Sequence, residues 1–498
     1  MRSPHPQEIE LKLALPADQL NAFRRRMARR RATPDEHDLV TRYFDTPDFA
    51  LAAAGVALRV RRTGTGWVQT LKTEGERHGG LSRRIEFEMP VAGDALDWQR
   101  FPPEALAFVP ERLRRAVVPV FETRFHRTTW LLAPRGGEIE VALDVGEVRA
   151  GERCEPLCEV ELELKAGGPD LLFDLAFAWA EEFDLLPFDV SKAERGVRLA
   201  HGIAAAPVRA TPAALDRKMR VEAGFVAIVQ GCLAQLQANL PGVTTSDDIE
   251  YVHQARIALQ RLRTALRLFR EACPLPAALA DGAKRLAAAL GTVRDFDVLM
   301  RQTLPAIAPH DADADRWQAG LAALEASHAQ ARMNMRKALD DARPGAWLLA
   351  MQRWLLGQGE RPDVPQQPVR LVPWAREALE RGHQRLARDA RAFATLDAAA
   401  RHRLRIAVKR QRYAAEFFAD LLDGRRALRY VASLRALQDA LGRARDLGVA
   451  RTLLADAPPD ARPMRDFALG WLAATEDCAG DDEAVRCLED VRAAKTYW

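Results

Sequence analysis

The sequence has little cysteine, little lysine and no long unbroken apolar run, and each scarcity excludes something. Six cysteines in 498 residues (Cys154, Cys158, Cys232, Cys273, Cys478 and Cys487) are too sparse for a disulfide scaffold, and they lack the paired spacing of a zinc site. No stretch approaches the ~18–20 uninterrupted apolar residues of a membrane span. The opening MRSPHPQEIELKL carries no apolar segment of the kind found in a secretory signal. A reducing cytoplasm is the expected compartment, with no membrane partner. Net charge is small too, +4, and 48% hydrophobic with 29% charged residues is a globular composition. At ~100–200 residues per domain the length predicts two to four domains.

Only nine of the 73 basic residues are lysine. With abundant alanine this fits a GC-rich bacterial coding bias. The lysines that remain are informative, because an ammonium is a compact point charge that a planar guanidinium does not replace at a tight site. Before residue 200 they are Lys12, Lys72, Lys165 and Lys192; three lie in charged strand-like segments and Lys192 in a short SKAERG turn.

Up to about Ala200 the chain runs in short alternating segments broken by Gly and Pro, which predicts strands. From about Thr211 onward long Ala/Leu/Arg stretches with 3–4 spacing predict helices. The expected division is residues 1–203, a linker at 204–215, and a helical part at 216–498. A Pro/Gly/Gln-rich break at 357–373 splits the last into halves of about 216–356 and 374–498. The halves repeat one another. His253-Gln-Ala-Arg256-Ile-Ala-Leu-Gln260-Arg261-Leu-Arg263 matches His402-Arg-Leu-Arg405-Ile-Ala-Val-Lys409-Arg410-Gln-Arg412, and Leu290-Gly291-Thr-Val-Arg294-Asp295 matches Leu441-Gly442-Arg-Ala-Arg445-Asp446. Blocks recurring in the same order indicate a duplicated helical unit.

Side chains alternate faces along a strand, so Glu8, Glu10 and Lys12 share one face and Ile9, Leu11 and Leu13 the other. The same split recurs at Leu58-Arg59-Val60-Arg61, Thr70-Leu71-Lys72, Arg84-Ile85-Glu86-Phe87-Glu88, from Glu138-Ile139-Glu140 through Asp144, and from Glu159 to Lys165. A solvated outer face accounts for any one of these strands. Together they differ from one: charged residues dominate, and the signs segregate, carboxylates at 8–10 and 159–163, arginines at 59–61. Like charges two apart on one face repel unless something binds between them. Carboxylate clusters suit a divalent metal and Arg/Lys clusters suit phosphate. Both facing one cavity describe a closed sheet whose polar interior holds a metal-bound polyphosphate. Ser82 and Ser191 lack a His/Asp arrangement, Cys158 reads as a small buried residue, and the Gly64-Thr-Gly66 pair as a hairpin turn, so no covalent nucleophile is expected.

EIELKL, YFDTP (43–47), LRVR (58–61), TLK (70–72), RIEFE (84–88), ALDVGEV (142–148), CEVELEL (158–164) and SKAERG (191–196), in that order, resemble the CYTH domain of the triphosphate tunnel metalloenzyme family. The arrangement is similar to bacterial inorganic triphosphatases in which this domain precedes a CHAD domain. The resemblance implies an eight-stranded antiparallel β tunnel that hydrolyses a triphosphate with Mg²⁺ or Mn²⁺. Carried over position by position, it implies metal ligation by Glu8, Glu10, Glu159 and Glu161 with Asp144 nearby. It implies phosphate binding by Lys12, Arg59, Arg61, Lys72, Arg84 and Lys192. One more arginine comes from FETRFHRTTW, Arg127 being preferred to Arg124, and Glu163 extends the carboxylate row or is structural. Glu8, Glu10 and Lys12 are the candidate catalytic set, with one of the two glutamates as proton acceptor.

In the helical part His253, Arg256, Gln260, Arg263 and Arg267 follow the spacing of one helix stripe, as do His402, Arg405, Lys409 and Arg412. Lys284, Gly291 and Arg294 are spaced like Arg435, Gly442 and Arg445. A solvated face accounts for one such helix, but accounts less well for a basic stripe opened by histidine in both repeats. Asp295, Asp297 and Asp446 read as salt-bridge partners or helix-end groups. The two segments resemble the two halves of a CHAD domain. That implies two pseudo-symmetric four-helix bundles with a basic groove for inorganic polyphosphate, held by those His, Arg and Lys positions; Gln260 departs from Lys409 in the second copy.

The expected fold is thus α+β and multidomain, a tunnel followed by an all-α domain, and the expected partners are inorganic triphosphate and polyphosphate, with localisation at polyphosphate granules a further expectation. The alternatives are an organic-triphosphate hydrolase or cyclase, for which Trp67 or Trp130 is a candidate stacking platform, and a non-catalytic polyphosphate binder. Nucleic acid ranks last, because no aromatic residues interleave the basic stripe as single-strand stacking requires.

Overall fold

The computed structural model describes residues 7–30, 32–64, 66–359, 369–391, 393–476 and 480–498, so most of the break at 357–373 and Cys478 lie outside the described residues. The chain forms two compact units, residues 1–206 with 343–356, and residues 207–342 with 357–498.

The first unit is built on eight strands: β1 (Gln7–Ala14), β2 (Asp35–Asp45), β3 (Val56–Thr63), β4 (Gly66–Thr73), β5 (Leu81–Val91), β6 (Val118–Leu132), β7 (Glu138–Ala150) and β8 (Arg153–Ala166). They pair antiparallel in the order β1-β8-β7-β6-β2-β3-β4-β5, and β5 returns to β1 through Glu8↔Arg84 and Glu10↔Ser82, closing the barrel. Two short strands, Glu76–His78 and Leu186–Pro187, flank it.

The barrel is inside out relative to an ordinary core. The inward faces carry the alternating charges, so the apolar faces point outward and need cover. Leu11, Leu13, Ile139, Val141, Leu143, Val160 and Leu162 are covered by α1 (Leu20–Ala28) and α2 (Asp170–Ala180), whose Phe23, Met27, Phe173 and Trp179 are fully buried. On the opposite flank Leu58, Val60, Leu71 and Phe87 pack beneath Phe101, Ala105 and Val109. Each such side chain contributes about 1.5–3 kcal/mol on burial, which stabilises a barrel whose lumen is polar. A further helix, α3 (Lys192–Ala200), begins where a turn is expected at SKAERG: Ser191 caps it in a reciprocal capping box with Glu194. Gly196 lets α3 lie directly on the Phe121 ring, where any Cβ would collide.

The second unit is helical: α4 (Val221–Thr245), α5 (Ile249–Leu268), α6 (Ala277–Ala289), α7 (Gly291–Val298) and α8 (Ala314–Ala342) in the first repeat. Pro344–Gly359 forms α9, of which residues 344–356 belong to the first unit. The second repeat supplies α10 (Leu371–Arg391), α11 (Ala398–Phe417), α12 (Gly424–Ala455), α13 (Arg462–Glu476) and α14 (Gly480–Ala493). The equivalents differ locally: α6 and α7 are separate helices, whereas α12 is continuous. One hydrophobic cluster joins Leu299, Ile307, Trp317 and Leu324 of the first repeat to Leu454, Met464 and Leu472 of the second, so the repeats share a core. Helix α4 has the length and composition to cross a membrane, a property not evident from its interrupted apolar run. Its Val221, Phe225, Ile228, Leu236 and Leu240 are buried inside the unit.

Candidate functional site

The barrel encloses a cavity of about 790 Å³. Glu8, Glu10, Lys12, Arg59, Arg61, Lys72, Arg84, Arg127, Glu161 and Lys192 all line it, because each stands at an inward position of its strand or at the start of α3. Asp144 and Glu159 are fully buried and do not line it. Strand register places Asp144 beside both Arg127 and Glu159.

The charges form one connected network. Lys72 donates to Glu8 (2.9 Å) and pairs with Glu86 (3.0 Å), and Arg84 Nε donates to Glu8 (2.9 Å) while its Nη2 reaches Glu10. Lys12 lies 3.0 Å from Glu10 and 3.6 Å from Glu161. Lys192 Nζ contacts Asp144 at 2.7 Å, Glu161 at 2.9 Å and Glu159 as well. Arg127 forks onto Asp144 with two 2.6 Å hydrogen bonds and reaches Glu161 at 2.5 Å. Arg124, by contrast, is exposed and pairs with Glu122 at 2.6 Å.

Proton affinities follow from these contacts. Burial alone would raise Glu8 and Glu10, but Lys72 and Arg84 around the first, and Lys12 and Arg84 around the second, hold both below the usual carboxylate range. Burial likewise opposes ionisation of Asp144 and Glu161, and Lys192 together with Arg127, joined at Glu161 by Lys12, outweighs it in each. Glu159 is pushed up by burial despite Lys192, with Glu161 and Asp144 adding repulsion. Arg61 has the opposite imbalance. Burial, with Arg59 and Arg127 beside it, pushes the Arg61 guanidinium down to about 10; Arg61 donates to the Thr41 hydroxyl at 3.1 Å. The buried Nε of Arg59 has no hydrogen-bond partner among the described residues, although its Nη2 lies 3.4 Å from Glu86 and 3.7 Å from Glu88. A buried cation short of acceptors attracts an anion.

The carboxylate side has an orphan of its own. Asp144, Glu159 and Glu161 place one oxygen each within 4.8 Å of one another, and Glu159 Oε2 is buried without a hydrogen-bond partner among the described residues, although Arg195 lies 3.5 Å away. Hard oxygen donors of this kind suit Mg²⁺ or Mn²⁺. Glu8, Glu10 and Glu161 present carboxylates to the cavity itself, so the donor set fits a divalent ion.

Several lining residues were not singled out in sequence. Glu86 and Glu88 line the cavity, as the alternation they share with Arg84 already implied, and so do Glu140 and Tyr43; Glu163, which extends the carboxylate row, lines it too, with Lys165. Trp67 and Trp130 do not: Trp130 is buried in the outer apolar layer and Trp67 packs against the other one. Beside Tyr43, the aromatic groups at the cavity are Phe49, in a left-handed backbone conformation (φ 58°), and His201, with ring centroids 4.4 Å apart. Cys158 is half-buried, and burial raises its thiol.

In the helical unit the repeat-related residues Gln260 and Lys409 touch each other, Lys409 Nζ donating to Gln260 Oε1 at 3.1 Å. The local two-fold relation therefore passes between α5 and α11. Arg263 and Arg267 are exposed, and they meet Arg410 and Arg385 of the other repeat. Burial, then Arg267, Arg263 and Arg385, push Arg410 below the usual arginine range. Arg256 Nη1 lies 3.5 Å from where a Cβ of Gly291 would stand, and Arg405 Nε 3.9 Å from that of Gly442, so both repeats set an arginine over the glycine. His253 is half-buried, and burial and Arg294 hold its imidazole below the usual value. His402 is exposed; Lys284 and Arg435 are exposed and paired to Asp281 (2.8 Å) and Glu416 (3.5 Å). Arg412 reaches Glu416 at 2.5 Å, and buried Asp297 lies 3.0 Å from His328. The side chain of Arg445 lies outside the described residues. Arg385 and Arg410 were missed in sequence because their stripe becomes a site only where two helices meet.

Comparison with known proteins matches the CYTH domain model to residues 6–197 and the CHAD domain model to residues 227–455. An inorganic triphosphatase from Haemophilus influenzae is 36% identical over 198 residues, which is 39% of this chain and 55% of that protein, so the match spans about half of the relative's length. The crystal structure of the CHAD domain from the plant Ricinus communis matches with TM-score 0.53 and 33% identity, covering 59% of this chain and 99% of that one.

Proposed function

The chain belongs to the CHAD family and carries a CYTH domain ahead of its CHAD domain, and from that premise we propose that it hydrolyses inorganic triphosphate to diphosphate and phosphate inside the barrel. The carrying observation is the lumen: a closed sheet in which Arg61, hydrogen-bonded to a hydroxyl, and buried Arg59, whose Nε has no hydrogen-bond partner among the described residues, stand opposite a carboxylate set. Anion binding alone does not need the carboxylates.

Lys12, Arg59, Arg61, Lys72, Arg84, Arg127 and Lys192 take the phosphoryl oxygens, and most of the rate enhancement is positioning and charge neutralisation. Glu8, Glu10 and Glu161 would hold Mg²⁺ or Mn²⁺, with Asp144 and Glu159 beside Glu161; bound there, the ion neutralises phosphate charge and acidifies water. Glu8 or Glu10 accepts the proton of the attacking water. The α5/α11 arginines, with His253 and His402, bind inorganic polyphosphate, and one chain carrying both sites raises the local concentration of phosphate chains. A cytoplasmic location at polyphosphate granules follows from that reading.

Phosphate release is measured from inorganic triphosphate, ATP, thiamine triphosphate and long-chain polyphosphate, each with Mg²⁺, Mn²⁺ or EDTA, beside Glu10→Ala. Metal-dependent turnover of inorganic triphosphate, lost in the variant, is expected. Polyphosphate binding with no turnover of any substrate leaves a binding protein. A second reading, an organic triphosphate, is favoured by the Phe49–His201 pair at the cavity; preferential turnover of ATP or thiamine triphosphate would establish it.

A further inference from the structure

Residues 343–356 lie far downstream of the barrel in sequence yet belong to its unit. Helix α9 enters through Arg343, itself in a left-handed conformation (φ 47°), whose guanidinium donates to the Glu181 carbonyl at the end of α2. Leu349 is fully buried in the apolar layer over β1 and β6–β8, and Arg353 pairs with Asp174 at 2.9 Å.

Two contacts reach further than cover. The first is at Gly345, which lies so close to the Leu185 carbonyl that a Cβ there would collide with it; Leu186 and Pro187, next in sequence, pair with Ala14 and Leu13 of β1. The second is Gln352, only 4% exposed, which fills the space over Gly79, a turn glycine at φ 64°. That turn continues into Gly80, whose carbonyl accepts from Lys12 N at 2.9 Å and whose N–H donates to Asp189 Oδ1 at 2.7 Å. Phe188 N in turn donates to the Lys12 carbonyl at 3.2 Å, and Lys192 follows three residues after Asp189. Helix α9 therefore braces both backbone segments that decide where the Lys12 and Lys192 ammonium groups stand, and these converge on Glu161 at 3.6 and 2.9 Å.

We propose that Gly345 and Gln352 are positioning residues of the triphosphate site: α9 sets the placement of Lys12 and Lys192 by holding the Gly79–Gly80 turn and the Leu185–Asp189 segment against β1. The inference rests on the triphosphate reading above. The two ammonium groups hold the phosphoryl oxygens in the ground state and neutralise charge that develops in the transition state, so misplacing them weakens binding and lowers kcat as well.

The test uses the full chain. Gly345→Ala pushes the helix outward, Gln352→Ala removes the brace without any clash, and Gln352→Met refills its volume. Turnover of inorganic triphosphate and its dissociation constant by calorimetry are measured beside thermal melting. The expected result is a dissociation constant raised about tenfold and kcat/KM lowered at least as much in both alanine variants, with recovery in Gln352→Met. Alanine variants that melt lower but keep the wild-type kcat/KM and dissociation constant overturn the proposal and leave α9 as cover. If Gly345→Ala does not fold, Gln352→Ala decides. A wild-type protein that binds triphosphate without hydrolysing it sinks the catalytic reading alone, and the dissociation constants then decide this one. A protein that does not bind triphosphate overturns both.

Discussion

Replacing Lys192 with methionine removes one charge and keeps the unbranched stem. In the structure that ammonium touches Asp144, Glu159 and Glu161, three buried carboxylates within 4.8 Å of one another. At an effective dielectric of 20, each contact near 2.8 Å is worth on the order of 6 kcal/mol before desolvation. Most of that is offset by the cost of burying the charges, and removing one partner of a buried pair typically costs about 3–5 kcal/mol. For a unit of this size about 2–4 °C of melting temperature accompanies each kcal/mol, so the barrel transition should fall by about 6–20 °C. Calorimetry in EDTA reads the loss. Divalent cation should then recover part of it, about 2.7 kcal/mol at one hundred times its dissociation constant, because the three carboxylates keep only Arg127, Lys12 and Arg195 as near cations among the described residues. Wild type, with its ammonium in place, should gain less. A variant that melts like wild type in EDTA would refute the view that Lys192 neutralises this cluster.

Gly196→Ala should destabilise the barrel unit by about 1–3 kcal/mol in urea titration, because the added methyl meets the Phe121 ring; the better helix propensity of alanine offsets at most about 1 kcal/mol. His253 is held below its usual 6.5 by burial, Arg294 and Arg256, against Glu250 and Asp297. A bound polyanion raises it, so binding takes up a proton and polyphosphate affinity should tighten as pH falls from 8 toward 6, by at most about tenfold per unit. His253→Ala should flatten that slope, and a flat wild-type profile would count against the assignment. Iodoacetamide at pH 8 should label exposed Cys154 and spare Cys232, whose thiol burial pushes up to about 11, as mass mapping would show.

The lumen was legible in the sequence because a period of two leaves no freedom: once Glu8-Ile9-Glu10-Leu11-Lys12 is a strand, the charges share a face. The same counting separates Arg127 from Arg124, which point to opposite sides of β6. Depth along the barrel was not legible. Asp144 and Glu161 both face inward, yet only Glu161 reaches the cavity, and that depends on strand stagger, which alternation does not encode. The stacking group was misplaced for a related reason: Trp67 and Trp130 lie on outward positions, and Phe49 with His201 come from a loop and a helix end that no periodicity brings together. The repeat was legible as two basic stripes, while the Arg410–Arg385 focus depends on how α5 and α11 cross. The position of α9 was hidden because an apolar helix face announces that it needs a core without saying which one.

That helix also has a consequence for how the polypeptide is made. On the ribosome the eight barrel strands emerge early, but the slot that Leu349 fills stays open until residue 356 has been synthesised. At about 5–20 residues per second the stretch from Ala206 to Leu356 takes roughly 8–30 s. Throughout that interval the nascent barrel shows water an apolar strip over β1 and β6–β8, which makes it a natural client for a holding chaperone, and its final closure waits on translation of the repeat that follows it.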